Sequence, residues 1–233
     1  MKIIALNGSP KGQNGNTEIL LKNFIIGCKS AGANVETIYL KDKNIKHCCG
    51  CFTCWEKTPG KCIYKDDMED LLTKISTADI IIYATPLYYF TVTGIMKDFM
   101  DRMLPLHSGE IIKENDIYTH PKQNKYTSSA KTILISNCGF PGRYNFSGLL
   151  ETFNVITQGN LMANILCTQG GVLKISETNK DLNNLYKPFF NALIKAGEDI
   201  VTKGYITESI QKILDKPVID TDTYITQANN RLK

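Results

Sequence analysis

The chain has 233 residues and a formal net charge of +4, from 27 basic and 23 acidic residues. Its 42% of hydrophobic residues can fill a globular core, and its basic residues are spread out, which argues against a nucleic-acid surface. The longest apolar stretch, 80–84, is far shorter than the roughly 20 residues of a membrane span. The N-terminal apolar run, 3–6, is shorter than the core of a signal peptide, about 7–15 residues, so we expect a cytoplasmic protein.

Apolar runs of strand length alternate with segments of helical periodicity. We predict strands at 2–6, 35–40, 79–84, 131–136 and 164–168, and helices at 17–32, 68–75, 94–103, 144–159 and 187–202. Five such units in strict alternation predict an α/β fold, a doubly wound parallel sheet of five strands with helices on both faces.

We predict one domain over residues 1–203, because the sequence has no internal repeat and no low-complexity linker. A polar insertion at about 105–129 and a C-terminal extension at 204–233 lie outside the alternating pattern. In the extension, Pro217 and alternating Asp and Thr residues predict an extended arm that packs on a partner subunit.

The loop after the first strand, GSPKGQNGNT at 8–17, has the composition of a phosphate site. Its glycines allow a tight turn, and the helix that begins near Asn16 or Thr17 presents free N–H groups and a positive dipole end. Ser9, Asn16 and Thr17 add neutral donors, and Lys11 adds charge. The spacing is neither GxxxxGK[ST] nor GxGxxG, so it favours a phosphomonoester such as that of FMN. A capped surface turn is the alternative.

Two more segments follow the third and fourth predicted strands. TPLYYF at 85–90 leads into Thr93-Gly94 and KDFMDR at 97–102, and NCGF occupies 137–140. With GSPKGQNGNT, they resemble the phosphate loop, the Pro-x-Tyr segment, the Lys-x-Phe-x-Asp-Arg helix and the flavin-edge loop of the NAD(P)H-dependent FMN reductase and iron–sulfur flavoprotein group. The resemblance spans roughly residues 1–170.

The resemblance implies a flavodoxin-like sheet of strand order 2-1-3-4-5 with an FMN site at its carboxyl edge. Besides the phosphate loop, the implied flavin contacts are Pro86, Leu87, Tyr88, Tyr89, Phe90, Asn137, Cys138 and Gly139. The aromatic residues among them offer flat faces for stacking on a ring.

The activity that the resemblance implies is an FMN-dependent oxidoreductase, which passes electrons from NAD(P)H to a small acceptor such as a quinone, flavin, nitro or azo compound. No side chain is expected to be catalytic, because the flavin carries the chemistry. Asp101 and Arg102 are expected to form a structural ion pair or a helix-end contact. The group also implies a homodimer or homotetramer.

Five of the eight cysteines lie within 48–62. In a reducing compartment such a cluster indicates metal or redox chemistry. The spacing C-x2-C-x2-C-x7-C suits a [4Fe–4S] cluster and resembles the compact motif of iron–sulfur flavoproteins, with Cys48, Cys51, Cys54 and Cys62 as ligands. Free or disulfide-paired thiols in a flap over the flavin are the alternative, and zinc suits the spacing less well. The extra Cys49 leaves the choice of ligands open.

This motif supports a second hypothesis for the function. The chain would be an iron–sulfur flavoprotein that carries electrons between FMN, a [4Fe–4S] cluster and a ferredoxin-like partner. Slow turnover with NAD(P)H and fast reduction by ferredoxin would favour it over the reductase.

Overall fold

A computed structural model of the chain describes residues 1–114, 116–123 and 129–230. Its strands are β1 (Lys2–Asn7), β2 (Asn34–Tyr39), β3 (Ile80–Pro86), β4 (Ile112–Glu114), β5 (Ile117–Thr119), β6 (Lys131–Asn137) and β7 (Leu161–Cys167). Its α-helices are α1 (Asn16–Ser30), α2 (Thr53–Glu56), α3 (Met68–Ile75), α4 (Gly94–Asp101), α5 (Ser147–Ile156), α6 (Lys180–Lys203), α7 (Glu208–Asp215) and α8 (Thr221–Asn230).

The main sheet has the strand order β2-β1-β3-β6-β7, and every neighbouring pair is parallel. Because β6 and β7 are the fourth and fifth strands of this sheet, the predicted flavodoxin-like order 2-1-3-4-5 is confirmed. The two small strands β4 and β5 pair with each other in a separate antiparallel hairpin.

Alternating side chains of the strands face two different cores. Ile80 and Ile82 pack with the apolar residues of α1 and α6, whereas Ile81 and Tyr83 pack with those of α3, α4 and α5. This follows from the two-residue repeat of a strand, and it is why the central strand is apolar at consecutive positions. Helices therefore cover both faces, as predicted.

Helices α1 and α6 approach each other closely because glycines lie at their contact. A Cβ on Gly27 would lie 1.8 Å from the carbonyl oxygen of Ile194, and one on Gly197 would lie 2.1 Å from that of Phe24. Both distances are far below van der Waals contact, so only glycine permits this packing. The contact fixes α1, whose N-terminus points to the carboxyl edge of the sheet.

The C-terminal extension is not an extended arm, so that prediction is wrong. Residues 208–215 and 221–230 are helical, and Leu214, Ile219 and Tyr224 are buried in the core of the same chain. Asp220 accepts hydrogen bonds from the N–H and the hydroxyl of Thr223, both over 3.0 Å, and so caps α8. The Asp and Thr residues read as an extended pattern are in fact the first turn of a helix.

Two further segments differ from their predictions. The last core helix starts at Lys180, because the Asn179 side chain accepts a hydrogen bond from the Leu182 N–H over 2.9 Å and Pro188 is accommodated inside the helix. The predicted insertion contains the β4–β5 hairpin, while residues 115 and 124–128 of it lie outside the described residues. None of the helices in the described part of the chain has the length and apolar character to cross a bilayer.

Candidate active site

Three loops meet at the carboxyl edge of the sheet, where open α/β folds bind their ligands. They follow β1, β3 and β6. The Gly8 N–H donates to the Ala84 carbonyl and the Leu87 N–H donates to the Asn137 carbonyl, each over 2.8 Å. Parallel pairing thus brings the three segments singled out in the sequence to one edge.

The loop after β1 is folded around a buried serine. Ser9 is 4% exposed, its N–H donates to Asn7 Oδ1 over 2.9 Å, and its hydroxyl oxygen accepts from the Lys11 N–H over 3.3 Å. A Cβ on Gly15 would lie 2.6 Å from Ser9 Oγ, so glycine keeps this concave loop open. Helix α1 begins at the next residue, Asn16, with first-turn N–H groups that have no acceptor within the helix. The loop therefore suits an anionic group.

Asn16 and Thr17 tie the start of α1 to distant loops. The Thr17 hydroxyl is buried and donates to Asn137 Oδ1 over 2.7 Å, while Asn16 Oδ1 accepts from the Lys174 N–H over 2.8 Å. The Glu18 N–H donates to the Gly15 carbonyl over 3.2 Å, so the donors that remain for a ligand at the start of α1 are the Asn16 side-chain NH₂ and the backbone N–H groups of Asn16 and Thr17. The partners of the two side chains are 120 and 158 residues away, so no local pattern reveals these contacts.

The loop after β3 is a strained two-residue turn. Tyr88 and Thr91 exchange backbone hydrogen bonds of 3.0 and 3.1 Å, and the central residues Tyr89 and Phe90 have φ of +48° and +65°. Such a backbone costs bulky residues on the order of 1–3 kcal/mol each. Tyr89 is 97% exposed, so burial of its ring does not offset this strain. Exposed, strained aromatic residues at a ligand-binding edge indicate a binding surface.

Phe140 adds a ring from the loop after β6. The planes of Phe90 and Phe140 are 2° from parallel, and their centroids are 6.5 Å apart. We call Tyr88, Tyr89, Phe90 and Phe140 the aromatic rim. Phe140 was not among the flavin contacts expected from the resemblance, and its place in the NCGF segment was the signal that could have added it.

The remaining residues of the loop after β6 differ in exposure. Asn137 and Cys138 are buried, whereas Gly139 is exposed and a Cβ on it would meet nothing within 4 Å. Burial raises the pKa of the Cys138 thiol, which donates to the Phe140 carbonyl over 3.3 Å. Cys138 is therefore a packed neutral thiol. The Gly139 carbonyl accepts from the Tyr224 hydroxyl over 2.7 Å, so α8 buttresses this loop.

A carboxylate that sequence reasoning missed lies beside the first loop. Glu18 accepts from Asn7 Nδ2 over 2.8 Å and from the Tyr39 hydroxyl over 3.0 Å. Burial raises the pKa of Glu18, although both hydrogen bonds act to lower it. Burial and the adjacent Glu18 raise the pKa of Tyr39 to about 12. These three residues link β1, α1 and β2 near the candidate phosphate site.

The cysteine segment forms a second feature. Its five cysteines line one pocket together with Arg102 and Tyr64, and we call this the cysteine pocket: Cys48, Cys49, Cys51, Cys54 and Cys62. All of the chain's cysteines are free thiols. Within the described residues, no three His, Cys, Asp or Glu side chains are arranged to hold a metal ion. The pocket thus gathers the four predicted cluster ligands without forming a single-ion site.

The thiols of this pocket differ in environment. Cys54 is buried, Cys62 is half-buried, and Cys48 and Cys51 are exposed. Hydrogen bonds from Thr53 lower the pKa of the Cys51 thiol, whereas burial, followed by the neighbouring Cys62, raises that of Cys54. Thiolate character therefore varies across the pocket.

Arg102, which lines the cysteine pocket, belongs to a buried ion pair. Arg102 is 2% exposed and donates to the two carboxylate oxygens of Asp66 over 2.7 and 3.0 Å, and to the Lys46 carbonyl over 2.7 Å. Burial acts to raise the pKa of Asp66, but hydrogen bonds from Arg102 hold it below its ordinary value. We call Arg102 and Asp66 the clamp. The expected structural ion pair of Arg102 is confirmed, while Asp101 pairs with Lys97.

Helix α4 joins the two features. The Thr93 hydroxyl donates to the Gly8 carbonyl over 2.6 Å and caps α4 by accepting from the Met96 N–H over 3.3 Å. Arg102 directly follows the last residue of the same helix. Because an α-helix rises 1.5 Å per residue, the eight residues of α4 separate the phosphate-type loop from the clamp by about 12 Å.

Comparison with known proteins agrees with this geometry. Residues 1–115 match the sequence model of the NADPH-dependent FMN reductase family. An iron-sulfur flavoprotein from Archaeoglobus fulgidus is 39% identical over 105 residues, which cover 45% of this chain and 46% of that protein. An iron-sulfur flavoprotein from Methanocaldococcus jannaschii is 38% identical over 109 residues, 47% of this chain and 55% of that protein. The matches thus span about half the length of these curated relatives.

Solved structures agree in fold. An FMN-dependent NADH-azoreductase from Bacillus anthracis, solved in complex with FMN, superposes with a TM-score of 0.61 at 14% identity, covering 86% of this chain and 99% of the other. At this identity the likeness concerns the fold alone. Residues 1–115 are thus similar to the NADPH-dependent FMN reductase family, and the chain has the flavodoxin-like α/β fold.

Proposed function

We propose that the chain is an FMN-dependent oxidoreductase that passes electrons from NAD(P)H to a small acceptor, such as a quinone, a flavin, or a nitro or azo compound. The observation that carries this proposal is the meeting of a phosphate-type loop and the aromatic rim at one edge of the sheet. The family match of residues 1–115 and the names of the relatives support the same cofactor.

The residues at the edge fit the two ends of FMN. The N–H groups at the start of α1, with Ser9, Lys11 and the Asn16 amide, would hold the phosphate. The Thr17 hydroxyl instead positions Asn137. The loop after β6 would lie at the polar edge of the flavin ring. The residues that would contact the ring are Pro86, Leu87, Tyr88, Tyr89, Phe90, Asn137, Cys138, Gly139 and Phe140.

When bound, FMN supplies the hydride and electron chemistry, and the chain supplies binding and orientation. The ionisable groups nearest the edge already have partners: Glu18 holds Asn7 and Tyr39, and the Cys138 thiol holds the Phe140 carbonyl. The proposal therefore assigns no proton transfer to a side chain.

The test is a visible spectrum of the protein after FMN is added and removed by gel filtration, followed by NADPH oxidation with a quinone. We expect a yellow protein whose NADPH oxidation depends on the quinone. In Gly15→Ala the new methyl group displaces Ser9, so FMN affinity should fall at least tenfold, whereas the control Gly94→Ala places its methyl group in open space and should bind as wild type does. A protein that stays colourless contradicts the proposal.

The cysteine pocket favours a second candidate function, that of an electron carrier. Cys48, Cys51, Cys54 and Cys62 would hold a [4Fe–4S] cluster, and the cluster would exchange electrons with FMN and a ferredoxin-like partner. Anaerobically purified protein should then contain about four iron and four sulfide per chain. Faster reduction by ferredoxin than by NADPH would favour the carrier over the reductase, and the reverse order would exclude it.

We further propose a homodimer or homotetramer in the cytoplasm. An exposed aromatic rim is the kind of surface that a second copy covers, and eight free thiols fit a reducing compartment. Light scattering with and without FMN measures the molar mass of the protein in solution. A monomer in both conditions would contradict the proposed homodimer or homotetramer.

A further inference from the structure

Arg102 has one donor without a hydrogen-bond partner in the part of the chain that the structure describes. Two nitrogens of its guanidinium bond Asp66 and Lys46, but Arg102 Nε has no hydrogen-bond partner among the described residues, although the side chain is almost fully buried. A buried unpaired donor costs about 1–3 kcal/mol, and more on a charged group. Buried polar groups are nearly always paired, so this exception needs an explanation.

Arg102 forms part of the wall of the cysteine pocket, together with all five clustered cysteines. Burial acts to lower the pKa of Arg102, but Asp66 and the neighbouring Cys62 keep it above its ordinary value. Of the two clamp residues, only Arg102 lines the pocket. The positive member of the pair is therefore the one beside the thiols.

We propose that Arg102 is a positioning residue for an iron–sulfur cluster held by Cys48, Cys51, Cys54 and Cys62, donating from Nε to the sulfur atoms on the Cys62 side of the pocket. This inference rests on the second proposed function. Hydrogen bonds to sulfur and nearby charge are the means by which proteins set cluster potentials. On reduction the cluster gains one electron and the donor loses one, so a fixed positive charge beside it favours the reduced form.

The first test uses the unmodified sequence. Protein is grown with ¹⁵N-arginine, purified anaerobically, reduced with dithionite and examined by pulsed electron paramagnetic resonance. The other arginines are Arg143, which pairs with Asp215 in a different part of the fold, and Arg231. We expect a ¹⁵N coupling to the cluster. Cluster-containing protein without such a coupling overturns the proposal, as does anaerobically purified protein without iron.

The second test is a redox titration of Arg102→Gln. Without the charge, the ratio of reduced to oxidised cluster at a fixed potential should fall about tenfold, a shift of 59 mV for one electron. Arg102→Lys, which keeps the charge, should restore most of this ratio. If Arg102→Gln does not fold, Arg102→Gln combined with Asp66→Asn leaves no unpaired carboxylate and should shift the ratio in the same direction.

Lys212→Gln is the control, because it removes a charge from an exposed pair on α7, and neither Lys212 nor its partner Glu208 lines the cysteine pocket. Equal ratios in Arg102→Gln, wild type and control overturn the proposal. FMN content and NADPH oxidation are measured on the same samples. If the protein has an intact cluster but neither binds FMN nor oxidises NADPH, the proposed reductase is refuted. The cluster titration still tests the role of Arg102, because it uses dithionite as the reductant.

Discussion

The carboxyl edge of the sheet and the cysteine pocket are built in different ways. The edge loops continue parallel strands, and each is tied to another by hydrogen bonds such as those of Leu87 and Thr17 with Asn137. The cysteine segment has no strand in the main sheet, and the clamp is its buried ionic anchor. The difference teaches that the edge is held by the strands of the fold, whereas the pocket relies on side-chain contacts such as the clamp and the hydrogen bond from Trp55 Nε1 to the Leu104 carbonyl.

The largest effect should come from breaking the clamp. Asp66→Ala leaves the buried Arg102 without its counter-charge, and loss of one partner of a buried pair costs about 3–5 kcal/mol. Asp101→Ala removes a carboxylate of an exposed pair and should cost at most about 1 kcal/mol. Urea unfolding measures both free energies. Similar losses in the two variants would show that the pocket does not depend on the clamp.

A change in the scaffold below the edge should have the next largest effect. Gly27→Ala forces a methyl group against the Ile194 carbonyl, and overpacking of this kind costs about 1–3 kcal/mol. Gly94→Ala, at an open position, should change the unfolding free energy by less than about 0.5 kcal/mol. Thermal unfolding followed by circular dichroism compares them, and equal stabilities would contradict the tight α1–α6 contact.

Removal of a hydrogen bond at the edge should have an effect on stability of similar size. Thr17→Val leaves the buried Asn137 oxygen without its donor, which costs about 1–3 kcal/mol. Since Asn137 then loses its orientation, FMN affinity should fall as well. Thr17→Ser keeps the hydroxyl and serves as the control. Fluorescence titration with FMN measures the affinity, and equal affinities in Thr17→Val and Thr17→Ser would remove Thr17 from the positioning role.

Relief of strain in the turn should increase stability and weaken binding. Tyr89→Gly removes an exposed ring from a left-handed backbone, and we expect a gain of up to about 1 kcal/mol. The same variant should bind FMN less tightly. Tyr144→Gly, at another exposed tyrosine whose φ is not positive, should lose about 0.5–1 kcal/mol. A loss of stability in Tyr89→Gly would contradict the strain argument.

The last prediction concerns how the stability that the clamp contributes depends on pH. Because the folded pKa of Asp66 is below its ordinary value of 3.8, its contribution is fully present above that value and is lost as the pH falls through the folded pKa. The stability difference between wild type and Asp66→Asn should therefore be constant from about pH 5 to 7 and shrink in acid. Guanidinium unfolding at several pH values checks this, and a difference that grows in acid would reverse the assigned sign.

The sequence by itself determined the features that depend on neighbouring residues. The strands and the start of α1 were predictable because apolar periodicity and helix-start signals are local, whereas the strand order was predicted from the resemblance to a known family. The loops of the candidate site followed from the rule that ligands bind at the carboxyl edge of parallel strands. The helical extension was local too, but Pro217 and the Asp and Thr residues obscured the spacing of Ile210 and Leu214.

Tertiary structure decided the contacts between residues far apart in the chain. Arg102 meets Asp66 across 36 positions and Thr17 meets Asn137 across 120, and which charge or hydroxyl finds which partner depends on how the helices pack. The strain at Tyr89 and Phe90 likewise exists only because the turn closes on Thr91. Local patterns therefore determined the helices and strands, whereas burial, which makes an unpaired polar group costly, determined the pairs that hold the two candidate sites.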